Sequence, residues 1–255
     1  MITALELQSY LADFLRVAEF NDYCVNGIQV EGKEKITRIA AGVSASDRLF
    51  RAASQFQADA VIVHHGLFWN HNPAPFALTG ILKRRVKLLL DRDIALLAYH
   101  LPLDGHPEIG NNALIARTLK LKQVEFLPIK TGQPPIATVG CLSRAMEFER
   151  FVDFADRELA TQGIGFKFNR RKISKVYVLS GGGAGYIQEV VASGADLMVT
   201  GELREETVRA AEEQGLSLYA GGHYNTEKWG IRALSSHLAK RFKIASLFID
   251  VPNPV

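Results

Sequence analysis

The chain has 255 residues, is 47% hydrophobic and carries a formal net charge of +3, enough apolar material for one large α/β domain or two smaller ones that fold without staples. Its two cysteines, Cys24 and Cys141, have no CxxC spacing, which excludes a disulfide framework and a thiolate zinc site, so any metal must be held by nitrogen and oxygen. No apolar stretch approaches the roughly 20 residues that cross a bilayer, and the basic clusters Lys83-Arg84-Arg85-Val86-Lys87 and Arg170-Arg171-Lys172 are short, so neither a membrane role nor a nucleic-acid partner is expected.

Leu7, Leu11, Phe14, Leu15 and Ala18 recur at helical spacing with Glu6, Asp13 and Glu19 between them, the pattern of an amphipathic first helix in a cytoplasmic protein rather than of a signal segment. A helix over Asp47 to Gln57 precedes the apolar run Ala60 to Val63, whose β-branched residues predict a strand running out into His64, His65 and Gly66. A second run, Ile94 to Ala98, leads into His100-Leu-Pro-Leu-Asp104 and then a helix over Asn111 to Leu119. Pro134 and Pro135 precede a fresh strand, Ile136 to Cys141, followed by a helix from Glu147 to Gln162. Next come a strand Val176 to Leu179, the run Gly181-Gly-Gly-Ala-Gly185, a helix Tyr186 to Ser193, and the apolar Leu197-Met-Val199 before Thr200-Gly-Glu202. A last run, Leu216 to Ala220, leads into His223-Tyr-Asn-Thr-Glu227 and a helix over Glu227 to Phe242.

The two halves read as diverged copies of one unit. Lys35-Ile-Thr-Arg-Ile39 matches Lys172-Ile-Ser-Lys-Val176, and Ala58-Asp59 matches Ala195-Asp196 at the same separation along the chain. Leu97-Ala-Tyr-His100 matches Leu218-Tyr-Ala-Gly-Gly-His223 at a shorter one. Alternating strands and helices predict an α/β fold of two similar domains related by a pseudo-twofold, 1–128 and 129–255, with mainly parallel sheets covered by helices. Parallel neighbours put their carboxyl ends on one edge. That gives the histidines a reason to converge on a metal site between the domains.

Five nitrogen and oxygen ligands follow: His64, His65 and Asp104 from the first half, His223 and Glu227 from the second. Two ions held by five protein ligands keep coordination positions open and lower the pKa of a shared water, which suits hydrolysis. Imidazole and carboxylate accommodate zinc, iron or manganese alike. His100 has three open readings: a proton shuttle beside Asp104, a direct ligand, or a buried hydrogen-bonded residue; Pro102 argues against a regular helix there. Gly181 to Gly185 is read first as a tight strand-to-helix turn, with a phosphate cradle compatible with it. Glu202 is either a supporting acid or base near the site or a solvated carboxylate at a helix start. His71 and His106 are read as loop residues and His237 as structural.

Asn26-Gly-Ile-Gln-Val30, Val63-His-His-Gly66, His100-Leu-Pro-Leu-Asp104 with Gly110-Asn-Asn112, Thr200-Gly-Glu202, Gly222-His223 to Glu227 and Asp250-Val-Pro-Asn-Pro-Val255 together resemble the Ngg-one-interacting factor three-like family, whose bacterial members are labelled GTP cyclohydrolase I type 2 homologues. The resemblance covers almost the whole chain. It implies a dinuclear metal centre on His64, His65, Asp104, His223 and Glu227, two α/β domains, a toroidal homohexamer and ring-opening hydrolysis of GTP. The leading expectation is therefore a metal-dependent hydrolase of a nucleotide or related small molecule. The alternative is a noncatalytic metal-binding or metal-delivery hexamer, or a protein-interaction scaffold.

Overall fold

The computed structural model describes residues 1–70 and 77–254, so the expectation for His71 lies outside the described residues. In chain order the elements are β1 (Ile2–Thr3), α1 (Ala4–Phe14), β2 (Gly27–Val30), β3 (Lys35–Ile36), β4 (Arg38–Ser44), α2 (Asp47–Gln55), β5 (Ala60–His65), α3 (Gly80–Asp91), β6 (Ala95–Ala98), α4 (Leu101–Asp104) and α5 (Asn111–Thr118). They continue with β7 (Lys122–Pro128), β8 (Pro135–Met146), α6 (Phe148–Leu159), β9 (Ile164–Phe166), β10 (Ile173–Leu179), α7 (Ile187–Ala192), β11 (Leu197–Thr200), α8 (Glu205–Gln214), β12 (Ser217–Ala220), α9 (His223–Phe242) and β13 (Ala245–Phe248). Local chemistry sets several boundaries. Thr3 and Glu6 form a reciprocal capping box at the start of α1, Ser46 caps α2, and Gly215 in the left-handed region ends α8.

The chain packs into two compact units, Met1–Leu103 with Gly230–Pro252, and Asp104–Trp229 with Asn253–Val255. The first holds a five-stranded sheet in the order β13-β4-β5-β6-β2, parallel except for β2. Its central strands are buried along nearly their whole length, as strands covered on both faces must be. Leu49, Phe50 and Ala53 of α2 and Val86 and Leu89 of α3 close its core. The second unit holds a six-stranded sheet in the order β7-β8-β10-β11-β12-β9. Its parallel centre, β10-β11-β12, is flanked by antiparallel β8 and β9, over a core that includes Phe151, Val176 and Tyr219. The division expected after residue 128 does not follow these units, because β7 hydrogen-bonds to β8 while β13 returns to pair with β4. The return of β13 to β4, some 200 residues away, leaves no trace in local periodicity.

The repeated Ala-Asp pairs do the same work in each unit. Asp59 Oδ2 accepts hydrogen bonds from the backbone N–H of Thr37 and Arg38 at 2.9 and 3.1 Å, and its own N–H donates to the Arg38 carbonyl. Asp196 Oδ2 accepts from Ser174 and Lys175 at 3.0 and 2.9 Å, and its N–H donates to the Lys175 carbonyl. Each carboxylate thus ties the start of one parallel strand to the next. Burial works to raise the Asp59 pKa, but the Thr37 hydrogen bonds and the Lys33 ammonium hold it below the usual carboxylate range. A depressed folded pKa means that this stabilisation is present above the unfolded value near 3.9 and is lost as pH falls through the folded one. Asp59→Ala is expected to cost about 1–3 kcal/mol by stranding those donors. Chemical denaturation at pH 7 should show the loss, and a midpoint equal to wild type would refute the tie.

Candidate metal centre

The parallel strands of the first unit deliver three imidazoles at their carboxyl ends. His64 and His65 close β5, and His100 follows β6. Ring nitrogens of all three lie within 4.8 Å of one another. Each ring is anchored through Nδ1. His64 Nδ1 lies 3.1 Å from the Tyr99 carbonyl, His65 Nδ1 3.0 Å from Ser44 Oγ, and His100 Nδ1 2.9 Å from Asp22 Oδ1. A carbonyl or carboxylate oxygen can only accept, so the proton of His64 and of His100 sits on Nδ1 and the lone pair on Nε2. His64 is fully buried and His100 is 6% exposed, against Tyr23 and Trp69 at ring-centroid distances of 5.0 and 5.3 Å.

The second unit builds its cluster from helix starts and the β10–β12 edge. Asp104 ends the single turn α4, is buried, and accepts from Asn111 Nδ2 at 2.7 Å. His223 and Glu227 are one turn apart on α9, with Nε2 and Oε2 separated by 3.0 Å. A carboxylate oxygen of Glu227 lies within 4.8 Å of one of Asp104. His223 Nδ1 is held by Glu202 Oε2 at 3.0 Å. All four histidines therefore present Nε2 and are oriented from Nδ1, the arrangement that metal-ligating imidazoles use to fix ring and tautomer. Buried acids beside oriented imidazoles form side-chain clusters that could bind a divalent ion.

A family model for Duf34/NIF3 (NGG1p interacting factor 3) matches residues 2–254. The chain belongs to the NIF3 family. It is 45% identical to a GTP cyclohydrolase 1 type 2 homolog of Pseudomonas aeruginosa, covering 94% of each chain, and 38% identical to one of Escherichia coli, covering 98% of each. Among solved structures it resembles the protein ybgI, described as of unknown function, with a TM-score of 0.93 at 38% identity over 100% of both chains. It also resembles TTHA1606 from Thermus thermophilus, with a TM-score of 0.85 at 35% identity, again over 100% of both chains.

In this NIF3 family member, Pro102 does not prevent helix: it lies in the first turn of α4, where its missing N–H would have no intrahelical partner. Nor do the residues after β12 run as a loop to Glu227. α9 begins at His223, which puts Glu227 on a buried helix face, 3% exposed. His237 is structural as read, its Nε2 2.5 Å from Tyr10 Oη and its ring stacked on Phe14. His106 Nδ1 accepts from the N–H groups of Glu108 and Ile109, closing a turn. Gly181 to Gly185 gives no long helix start, since the segment after it is a 3-10 turn over Gly183–Tyr186 and the six-residue α7. A side chain at Gly181 would overlap Glu227 Oε1. This glycine makes room for the carboxylate.

Asp22, Asn26, Gln29, Ser44 and Asn111 are the residues that sequence reasoning left without roles. Asn26 Oδ1 accepts from the His100 N–H at 2.8 Å, and Gln29 Oε1 accepts from the Leu67 and Phe68 N–H groups at 2.7 and 3.2 Å, holding the chain just after the His-His pair. Asn26 and Gln29 belong to the segment Asn26-Gly-Ile-Gln-Val30, whose local pattern does not name the groups they bind.

Burial works to lower the His223 pKa, but hydrogen bonds and charge from Glu227 and Glu202 outweigh it and raise it to about 9. A raised folded pKa means that the protonated ring stabilises the metal-free protein fully below the unfolded value near 6.5, and that this is lost as pH climbs to about 9. With the ring under one-third exposed, the contribution is on the order of 2–3 kcal/mol. After chelation, wild type should exceed His223→Gln in stability at pH 6 by that amount and lose most of the advantage by pH 9.5. A difference that stays constant over this range would count against a charged ring in the triad.

Proposed function

We propose that the chain is a dinuclear metal-dependent hydrolase of a nucleotide or related small molecule, GTP cyclohydrolase type 2-like, with His64, His65, Asp104, His223 and Glu227 as the ligands of two divalent ions. The observation that carries this reading is that His64, His65 and His223 are each anchored through Nδ1, which leaves Nε2 as the ring nitrogen that a metal could take in exchange for a proton. Imidazole and carboxylate ligands suit zinc, iron or manganese. Such ions supply Lewis acidity and acidify a water nucleophile near neutral pH.

The protein groups orient and move protons around that chemistry. Asn111 holds Asp104, and Glu202 holds His223. Asp22, whose carboxyl is kept below its usual range despite burial by the hydrogen bond and charge of His100, stabilises a proton taken up at His100 Nε2. His100→Gln is expected to keep its metal and lose turnover on the order of 10²-fold. Loss of metal in that variant would make His100 a ligand instead, and full turnover would remove it from the mechanism.

The test is an activity screen of the protein loaded with zinc, iron or manganese against a nucleotide panel that includes GTP. Hydrolysis in at least one metal form is expected. Inactivity in every combination would favour a noncatalytic metal-holding role. The active form is proposed to be a homohexamer, so light scattering should find a species several times the 28.2 kDa chain mass, and a stable monomer would contradict it.

A further inference from the structure

The basic run Lys83-Arg84-Arg85-Val86-Lys87 has no part in the metal centre, and helix formation sorts it by face. Val86 enters the core, while Arg84, Lys87, Leu88 and Asp91 recur at the three- and four-residue spacing that puts side chains on one face of α3. Arg51 stands in the same relation to Ser54 and Gln55 on α2. The two faces line one cavity of about 450 Å3 in the first unit, joined by Arg92 just past the end of α3. Its lining includes none of the proposed metal ligands.

Charge is out of balance there. Lys87 Nζ meets both oxygens of Asp91 at 2.7 Å. Arg84 Nε meets Asp47 Oδ2 at 2.6 Å, and Asp47 is shared with Arg85 at 3.9 Å. Among the described residues neither Arg51 nor Arg92 makes an ion pair. Four cations therefore meet two acids, which leaves two positive charges for a ligand. Solvated cations along one helix are ordinary. Two helices that turn four of them into a common cavity, half of that charge uncompensated, form a site for an anion.

The lining narrows the kind of anion. It contains no aromatic ring and a single apolar side chain, Leu88, so it offers no face to a planar heterocycle. Three of the four cations are guanidiniums, whose forked N–H groups pair bidentately with phosphate oxygens. Arg84 and Arg92 stand eight residues apart, about 12 Å along a helix axis. An anion charged along its length matches that row better than a point charge does. We propose that this groove binds a short condensed-phosphate chain, diphosphate or triphosphate, independently of the metal centre. Arg51 and Arg92 meet the charge that no protein acid balances. Arg84, 58% exposed, can exchange Asp47 for a phosphate oxygen because so exposed an ion pair contributes little.

The test is calorimetric titration of the full-length protein, before and after chelation, with orthophosphate, diphosphate, triphosphate, citrate and hexa-aspartate. Triphosphate is expected to bind at least tenfold more tightly than orthophosphate, with diphosphate between them, and to weaken as salt is added. Arg51→Gln and Arg92→Gln should each weaken triphosphate binding at least tenfold at unchanged melting temperature. Arg48→Gln removes the same charge from an exposed position of α2 outside the cavity and should change it less than twofold. Equal losses in all three variants would reduce the effect to net charge and overturn the proposal. Tighter binding of citrate or hexa-aspartate would overturn it in favour of a carboxylate ligand or an acidic protein segment. Binding that vanishes on chelation would belong to the metal centre and overturn it as well. None of these failures touches the hydrolase reading, whose residues lie outside the groove.

Discussion

Glu227→Gln is expected to leave the protein folded and to strip it of most of its divalent metal. The glutamine matches the glutamate in size, so the packing of a residue only 3% exposed is kept. What disappears is a negative charge, one helical turn from His223 and within 4.8 Å of Asp104 at the carboxylate oxygens. In a buried site the Coulombic attraction of a carboxylate for a dication is poorly screened, and an amide oxygen replaces little of it. Loss of an orienting partner alone typically lowers metal affinity 10–100-fold, so loss of a ligand charge should exceed about 100-fold. Elemental analysis after dialysis against micromolar metal reads this directly. Unchanged metal content would remove Glu227 from the centre.

Gly181→Ala should disable the same site by a different route. Gly181 has φ +59°, and an added Cβ would overlap Glu227 Oε1 and lie 3.1 Å from His223 Nε2. A left-handed conformation costs an L-residue about 1–2 kcal/mol. For a chain of this size that strain alone should lower Tm by roughly 2–8 °C. The carboxylate must also swing away, because the alanine is anchored in backbone and cannot yield. Metal content should therefore fall about as far as in Glu227→Gln. Gly185→Ala is the internal control, since a Cβ there meets nothing within 4 Å. Equal metal content in the two alanine variants, with Tm lowered only at Gly181, would show that the crowding is tolerated and that the glycine serves only the turn.

Much of the layout was legible from local pattern. The β-branched run before His64-His65 became β5, with both histidines as its last two residues, and the runs before His100 and His223 became β6 and β12. The matched Lys-Ile and Ala-Asp segments proved to be one hydrogen-bonded tie built twice, through Asp59 and Asp196. These features depend on neighbours along the chain, where side-chain alternation and turn chemistry act within a few residues.

The partners of the site residues belong to the other category. Asp22 meets His100 across 78 positions of sequence, Ser44 meets His65 across 21, and Gly181 yields space to Glu227 from the far side of two strands and two helices. An isolated Asp, Ser or Gly carries no periodic signal of such a role. The alternation of strands and helices and the histidines at strand ends are written in local pattern, because burial and hydrogen bonding impose those patterns within a few residues. The ring nitrogen that each histidine offers, the acids behind them and the sheet that takes β13 are settled by contacts between distant segments. Those choices are made by hydrogen bonds and packing between segments that come together only when the chain is folded.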